Sequence, residues 1–213
     1  ISNFINTEFK DHPGMINNIF PYSSEQALDW LNVFFDERFK DFGPYEDAIF
    51  MGEHFQLHSA LSSSMNLGII TPHQVITEAR NYAKENDIPI IADPKLTGLH
   101  RTHEVDWIIF QSRGFELMKR RIGENDDSVA AESLIQSYGW KHLVVLAGGD
   151  GVTIYSQLED TVHVPCTLPE LRQVIGLIDA AVVAIAVSIS NEFSVSDTAL
   201  LTNAACECIL SVE

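Results

Sequence analysis

The sequence predicts an α/β fold: a partly parallel sheet flanked by helices, preceded by a small all-helical segment. Three observations carry this. From residue 88 onward, short apolar runs bounded by turn residues alternate with stretches of helical periodicity. Residues 1–67 contain no such alternation, and their apolar residues recur at helical intervals. The change of pattern falls within residues 64–72, which sets the expected division at 1–67 for the helical segment and 68–213 for the α/β part.

Each element has a local reason. Residues 1–22 are expected to form an irregular arm, because Pro13-Gly14 and Pro21 break regular structure. Ser23 through Gln26 has capping-box spacing and should start a helix. Leu28, Leu31 and Phe35 form its apolar stripe, and Trp30 and Phe34 widen that stripe into a core face. Gly43-Pro44 is expected to stop it, and residues 48–67 to form a second helical stretch. Thr71 should cap the next helix with Pro72 in its first turn and Val75, Ile76, Ala79 and Ala83 facing inward.

Strands are expected at 88–92 and 107–110, then a helix closing on Lys119-Arg120-Arg121, where cations favour the helix dipole. A helix over 128–138, led by Asp126 and Asp127, ends at Gly139. Strands follow at 143–147, 152–155 and 161–164, then helices at 176–189 and 196–210.

Composition narrows the function classes. The formal charge of −17 disfavours a nucleic-acid partner. The longest apolar run, around residues 180–187, is too short for a bilayer, so no membrane partner is expected. Cys166, Cys206 and Cys208 make no disulfide framework, and free thiols fit a reducing cytoplasm. Cys206 and Cys208 diverge on a helix, and His54 and His58, four apart, lack a third ligand, so no metal site is expected among them. The first ten residues do not read as a secretory signal, and the chain starts without methionine, as a fragment or processed chain would.

The chemistry concentrates in residues 142–179. A buried-strand run at 142–147 leads into Gly148-Gly149-Asp150-Gly151, and Gly176-Leu177-Ile178-Asp179 opens a long apolar helix. Taken with Gly68 through Pro72, Ile88 through Lys95 and Leu201 through Ala205, this order resembles the ribokinase-like sugar kinases, most closely those of the heptose-phosphate type. The resemblance implies ATP and Mg2+ as cofactors and a small-molecule sugar as substrate. Asp179 would be the base that activates a sugar hydroxyl, with Gly176 in the anion hole. Gly148 and Gly151 would let backbone approach the nucleotide, and Asp93 would face its phosphates or a magnesium-bound water.

The loop departs from the family pattern. Leu177 and Ile178 replace an alanine and a glycine, Gln173 stands where the family has an acid, and Gln111-Ser112 replaces a proline-asparagine pair. The sugar-binding N-terminal half of the family is missing. A sheet so truncated exposes an edge, which points to a homodimer.

Residues 22–68 carry a second resemblance. Phe42 through Ile49 and His58 through Gly68 resemble the helical flavin domain of photolyase-related, cryptochrome-like proteins. It implies FAD as an alternative cofactor, held at Ser59, Leu61 and Ser62. Two resemblances meeting near residues 66–72 look like a hybrid. The readings carried forward are a degenerate or partial ATP-dependent sugar kinase, a non-catalytic scaffold or hybrid, and a flavin-binding module.

Overall fold

The structure is a computed structural model that describes residues 2–13, 19–168 and 175–211. The chain divides into two compact units, residues 1–86 and 87–213.

The first unit contains α1 (Ser2–Glu8), α2 (Ser24–Glu37), α3 (Phe39–Tyr45), α4 (Ser62–Asn66) and α5 (Pro72–Glu85). Both predicted caps form. The Ser23 hydroxyl accepts from the Gln26 N–H at 3.3 Å. Thr71 and Gln74 make a reciprocal capping box. Ala27, Leu31, Phe34 and Phe35 of α2 pack with Leu61 and Ile70 in one apolar cluster. Tyr82 of α5 stacks on Phe35 at 4.9 Å, so α5 closes this unit.

Three expectations fail here. The N-terminal arm contains α1, which Thr7 supports by donating its hydroxyl to the Asn3 carbonyl at 2.8 Å. Gly43-Pro44 lies inside α3; the break comes earlier, at Arg38, and Phe39 and Phe42 hold the turn by packing on Phe34 at 5.7 and 5.3 Å. Residues 48–67 are helical only over Ser62–Asn66. Gly52, Gln56 and Ala60 adopt left-handed backbone, which interrupts any helix. Ile49 and Met51, each 93% exposed, find no core to face.

The second unit holds β1 (Ile91–Ala92), β2 (Trp107–Gln111), α6 (Ser112–Ile122), α7 (Asp127–Tyr138), β3 (His142–Leu146), β4 (Val152–Ser156), β5 (Val162–Val164), α8 (Leu177–Ser190) and α9 (Val195–Leu210). The sheet order is β1-β2-β3-β4-β5. The first three strands are parallel, and β4 and β5 each join antiparallel. The first strand is shorter than expected because the Ile90 N–H bonds the Asp106 carboxylate at 2.7 Å instead of a neighbouring strand.

Alternation along the strands makes two cores. Ile108, Phe110, Leu143 and Val145 face α6 and α7. Ile109, Val144, Leu146 and Ile154 face α8 and α9. The unit is therefore a sheet with helices on both faces. Trp140 is fully buried at the start of β3, where its indole N–H donates to the Thr102 carbonyl at 2.7 Å. At α6's end, Lys119 pairs with Glu116 at 2.9 Å and with Asp127 of α7, which ties the two helices together.

Gly151 is a steric requirement. It has φ +91°, and a Cβ there would lie 2.0 Å from the Val164 carbonyl oxygen. Gly151→Ala should destabilise the fold by about 3 kcal/mol, read as a lower midpoint in urea unfolding.

His142 stacks on Trp107 at 4.0 Å, and its Nδ1 lies 2.9 Å from the Ser156 hydroxyl. Burial lowers its pKa to about 4, against the opposing pull of Asp106. The unfolded chain therefore takes up this proton first. Stability tied to His142 is full above pH 6.5 and is lost as pH falls toward 4. Partial exposure limits the effect to about 2 kcal/mol. Urea unfolding at pH 7 and pH 4.5 should show a shallower loss for His142→Gln than for the parent.

Candidate functional site

Because β1, β2 and β3 run in parallel, their carboxyl ends lie at one end of the sheet. Asp93-Pro94-Lys95 follows β1 there, α6 begins directly after β2, and the turn at Gly148–Asp150 follows β3. The pairings Leu146 with Val152 and Val152 with Val164 bring the start of β4 and the end of β5 to the same end. Ligands of open α/β sheets bind beyond strand carboxyl ends.

A hollow of about 540 Å³ opens at this end. Asp93 and Lys95 from the loop after β1, Phe110 and Gln111 from β2, Arg113 from α6 and Ile178 from α8 line it. Gly176 precedes α8 with φ +86°, a conformation suited to glycine, and its carbonyl accepts the first helical bond, from Ala180, at 2.9 Å. Asp179 is the third residue of the helix, solvent-facing, in the first turn. The first amides of a helix have no intrahelical partner and carry its positive end. A phosphoryl group is the kind of ligand such an end takes.

The charge of Asp179 acts on Asp93. The Asp93 carboxyl is raised above the ordinary carboxylate range, first by desolvation at the wall of the hollow and second by the Asp179 charge. Asp93, Gly176, Ile178 and the Asp179 charge thus belong to one neighbourhood.

The glycine turn has a structural explanation. Gly148 has φ +57° inside a 3-10 turn, and Gly151 passes so close to the end of β5 that no side chain fits. Asn203 also acts structurally: it donates to the Pro165 carbonyl at 3.3 Å and to Glu207 at 3.1 Å. Glu207 accepts from the Thr167 N–H at 2.5 Å and from its hydroxyl at 3.0 Å, and these bonds lower its pKa. The segment after β5 is pinned to α9 this way. Gln173 lies outside the described residues.

The two departures in the loop differ in kind. Leu177 is 4% exposed and packs in the α8–α9 core, so it is a core residue. Ile178 has no left-handed backbone; its side chain occupies space at the hollow. Lys95, Gln111 and Arg113 line the hollow although sequence reasoning gave them no role. Their signal is position, since each lies within a few residues of a parallel strand's carboxyl end.

No protein-family profile matches the chain. Bifunctional protein HldE of Aliivibrio fischeri is 24% identical over 124 residues, covering 58% of this chain and 26% of that protein. HldE of Pelobacter propionicus is 24% identical over 145 residues, covering 67% and 30%. Among solved structures, Arabidopsis thaliana ribokinase complexed with ribose and ATP superposes with TM-score 0.57 at 17% identity, over 67% of this chain and 48% of that one. Escherichia coli phosphofructokinase-2 in complex with fructose-6-phosphate gives 0.56 at 17%, over 66% and 48%. Over about two thirds of its length the chain shares the fold of these solved structures. It spans about a quarter to a third of the curated relatives it matches and about half of the solved ones.

These relatives give no support to the flavin resemblance. The Ser59 carbonyl accepts the Trp30 indole N–H at 3.0 Å, and Leu61 is 3% exposed within the core of its unit. Ser62 starts a helix of only five residues. The FAD reading of Ser59, Leu61 and Ser62 gains no support from the relatives.

If the Asp179 charge holds Asp93 up as described, Asp179→Asn should move the Asp93 titration midpoint down toward the ordinary carboxylate value. Carboxyl-carbon NMR across pH 2.5–7 measures it.

Proposed function

We propose that residues 68–213 are the nucleotide-binding half of an ATP-dependent sugar kinase, of the type that acts on heptose phosphates. The observation that supports this most is a left-handed glycine opening α8 with Asp179 in its first turn, beside a carboxyl-end hollow that also holds Asp93.

On this reading Asp179 accepts the proton of a sugar hydroxyl as that oxygen attacks the γ-phosphorus, and ADP leaves with the electrons of the broken P–O bond. The amides following Gly176 donate to the phosphoryl oxygens as charge builds on them. Asp93, a carboxylate at the wall of the hollow, suits a Mg2+ that is held mainly by phosphate and water. When bound, the ion neutralises phosphate charge. Gly148 and Gly151 shape the turn that borders the nucleotide. The substrate is a small molecule. Among the described residues no helix is long and apolar enough to cross a membrane. The position of β1 at the end of the strand order supports pairing with a second copy.

A specific observation favours a second reading, binding without transfer: Ile178 stands in the hollow where the resembled kinases have glycine. Two substitutions separate the readings. Asp179→Asn should lower phosphoryl transfer from radiolabelled ATP to a heptose phosphate about 10³-fold while ATP still raises the melting temperature. Ile178→Gly should tighten ATP binding, measured by calorimetry. Leu177 must stay, because truncating a buried leucine costs about 3 kcal/mol. No transfer by the parent or by Ile178→Gly, with ATP binding retained, selects the binding-only reading. No ATP binding by either rejects both.

A further inference from the structure

The hollow carries two cations that no described residue pairs with. The sequence has 30 acidic residues against 13 lysines and arginines, so an unpaired cation has many partners to choose from. The Lys95 and Arg113 side chains nevertheless make no hydrogen bond or ion pair among the described residues, although both line the same cavity as Asp93. They come from different elements, the loop after β1 and the first turn of α6, so the parallel pairing of β1 with β2 brings them together. Gln111, which precedes α6, leaves that helix without a side-chain cap, and its first amides point their positive end the same way.

We propose that Lys95 and Arg113 form a clamp for a phosphate group of the ligand. This rests on the kinase reading for the identity of the ligand but not for the clamp itself. Arginine offers a planar fork matched to phosphate oxygens, and lysine adds a mobile point charge. Two positive side chains and uncapped amides around 540 Å³ suit a phosphate dianion. Asp93 lines the same cavity and forms no ion pair with either cation among the described residues. The group recognised is a phosphate ester or anhydride, which can belong to the nucleotide or to a phosphorylated sugar.

The test is calorimetry of the full chain in metal-free buffer with pyrophosphate as probe, then ADP and fructose 6-phosphate. Lys95→Gln and Arg113→Gln should each weaken pyrophosphate binding about tenfold, and added salt should weaken the parent. Arg120→Gln, an exposed cation at the other end of α6, should change it less than twofold. Arg113→Glu should abolish it, with circular dichroism unchanged. If ADP responds to these variants, the clamp serves the nucleotide; if fructose 6-phosphate responds, it serves the sugar, and both results support it. Pyrophosphate affinity within twofold of the parent in Lys95→Gln, Arg113→Gln and Arg113→Glu overturns the clamp, whatever ATP does. Cation-dependent pyrophosphate binding without any gain for ADP or transfer from ATP keeps the clamp and removes the kinase reading.

Discussion

The parallel pairing of β1, β2 and β3 is the constraint on which the site depends. Parallel strands need crossovers, and every crossover leaves from the same end of the sheet. Loops that are far apart in the chain, after residues 92, 111 and 146, therefore share one rim. The antiparallel return through β4 and β5 adds the start of β4 and the end of β5 to that rim. None of these loops carries a complete site. Around a single hollow lie Asp93 and Lys95 from the first of these loops, Arg113 just beyond the second, and Ile178 from the start of α8.

The two cores hold that register in place. A one-residue slip of β3 would exchange Val144 and Leu146 for Leu143 and Val145 and turn each set toward the wrong helices. Trp140, buried and bonded to the Thr102 carbonyl, fixes where β3 enters the sheet. Gly151 fixes where β4 leaves the turn, since only a residue without Cβ passes the end of β5. The glycines that suggested a nucleotide loop thus have a demonstrable duty in packing, and the weight of the functional reading shifts to Gly176 and Asp179.

Much of the second unit was legible in the sequence because its signals are local. Asp126 caps α7 through its own side chain, and Gly139 ends that helix in the left-handed conformation. Strand positions followed from apolar runs whose alternation matches the two cores. Residues 48–61 were misread because apolar content alone does not set periodicity; left-handed Gln56 and Ala60 are backbone facts that no composition reveals. Asp106 replacing a ladder partner of Ile90 was hidden for a similar reason, as a bond between residues sixteen apart. At the site, Asp179 and Gly176 were visible as a pattern. Lys95 and Arg113 were not, because only the parallel pairing brings them to one cavity.

The loop residues show how a resemblance should be weighed against packing. Leu177 and Ile178 look like equal departures in the sequence, yet one fills a core and the other borders a cavity. A leucine at 177 adds apolar burial between α8 and α9, so it stabilises whatever the chain does. An isoleucine at 178 is half-buried against the same core and also borders the hollow. Packing accounts for Leu177 in full, whereas Ile178 has a second surface, toward the hollow, where its size bears on what can enter.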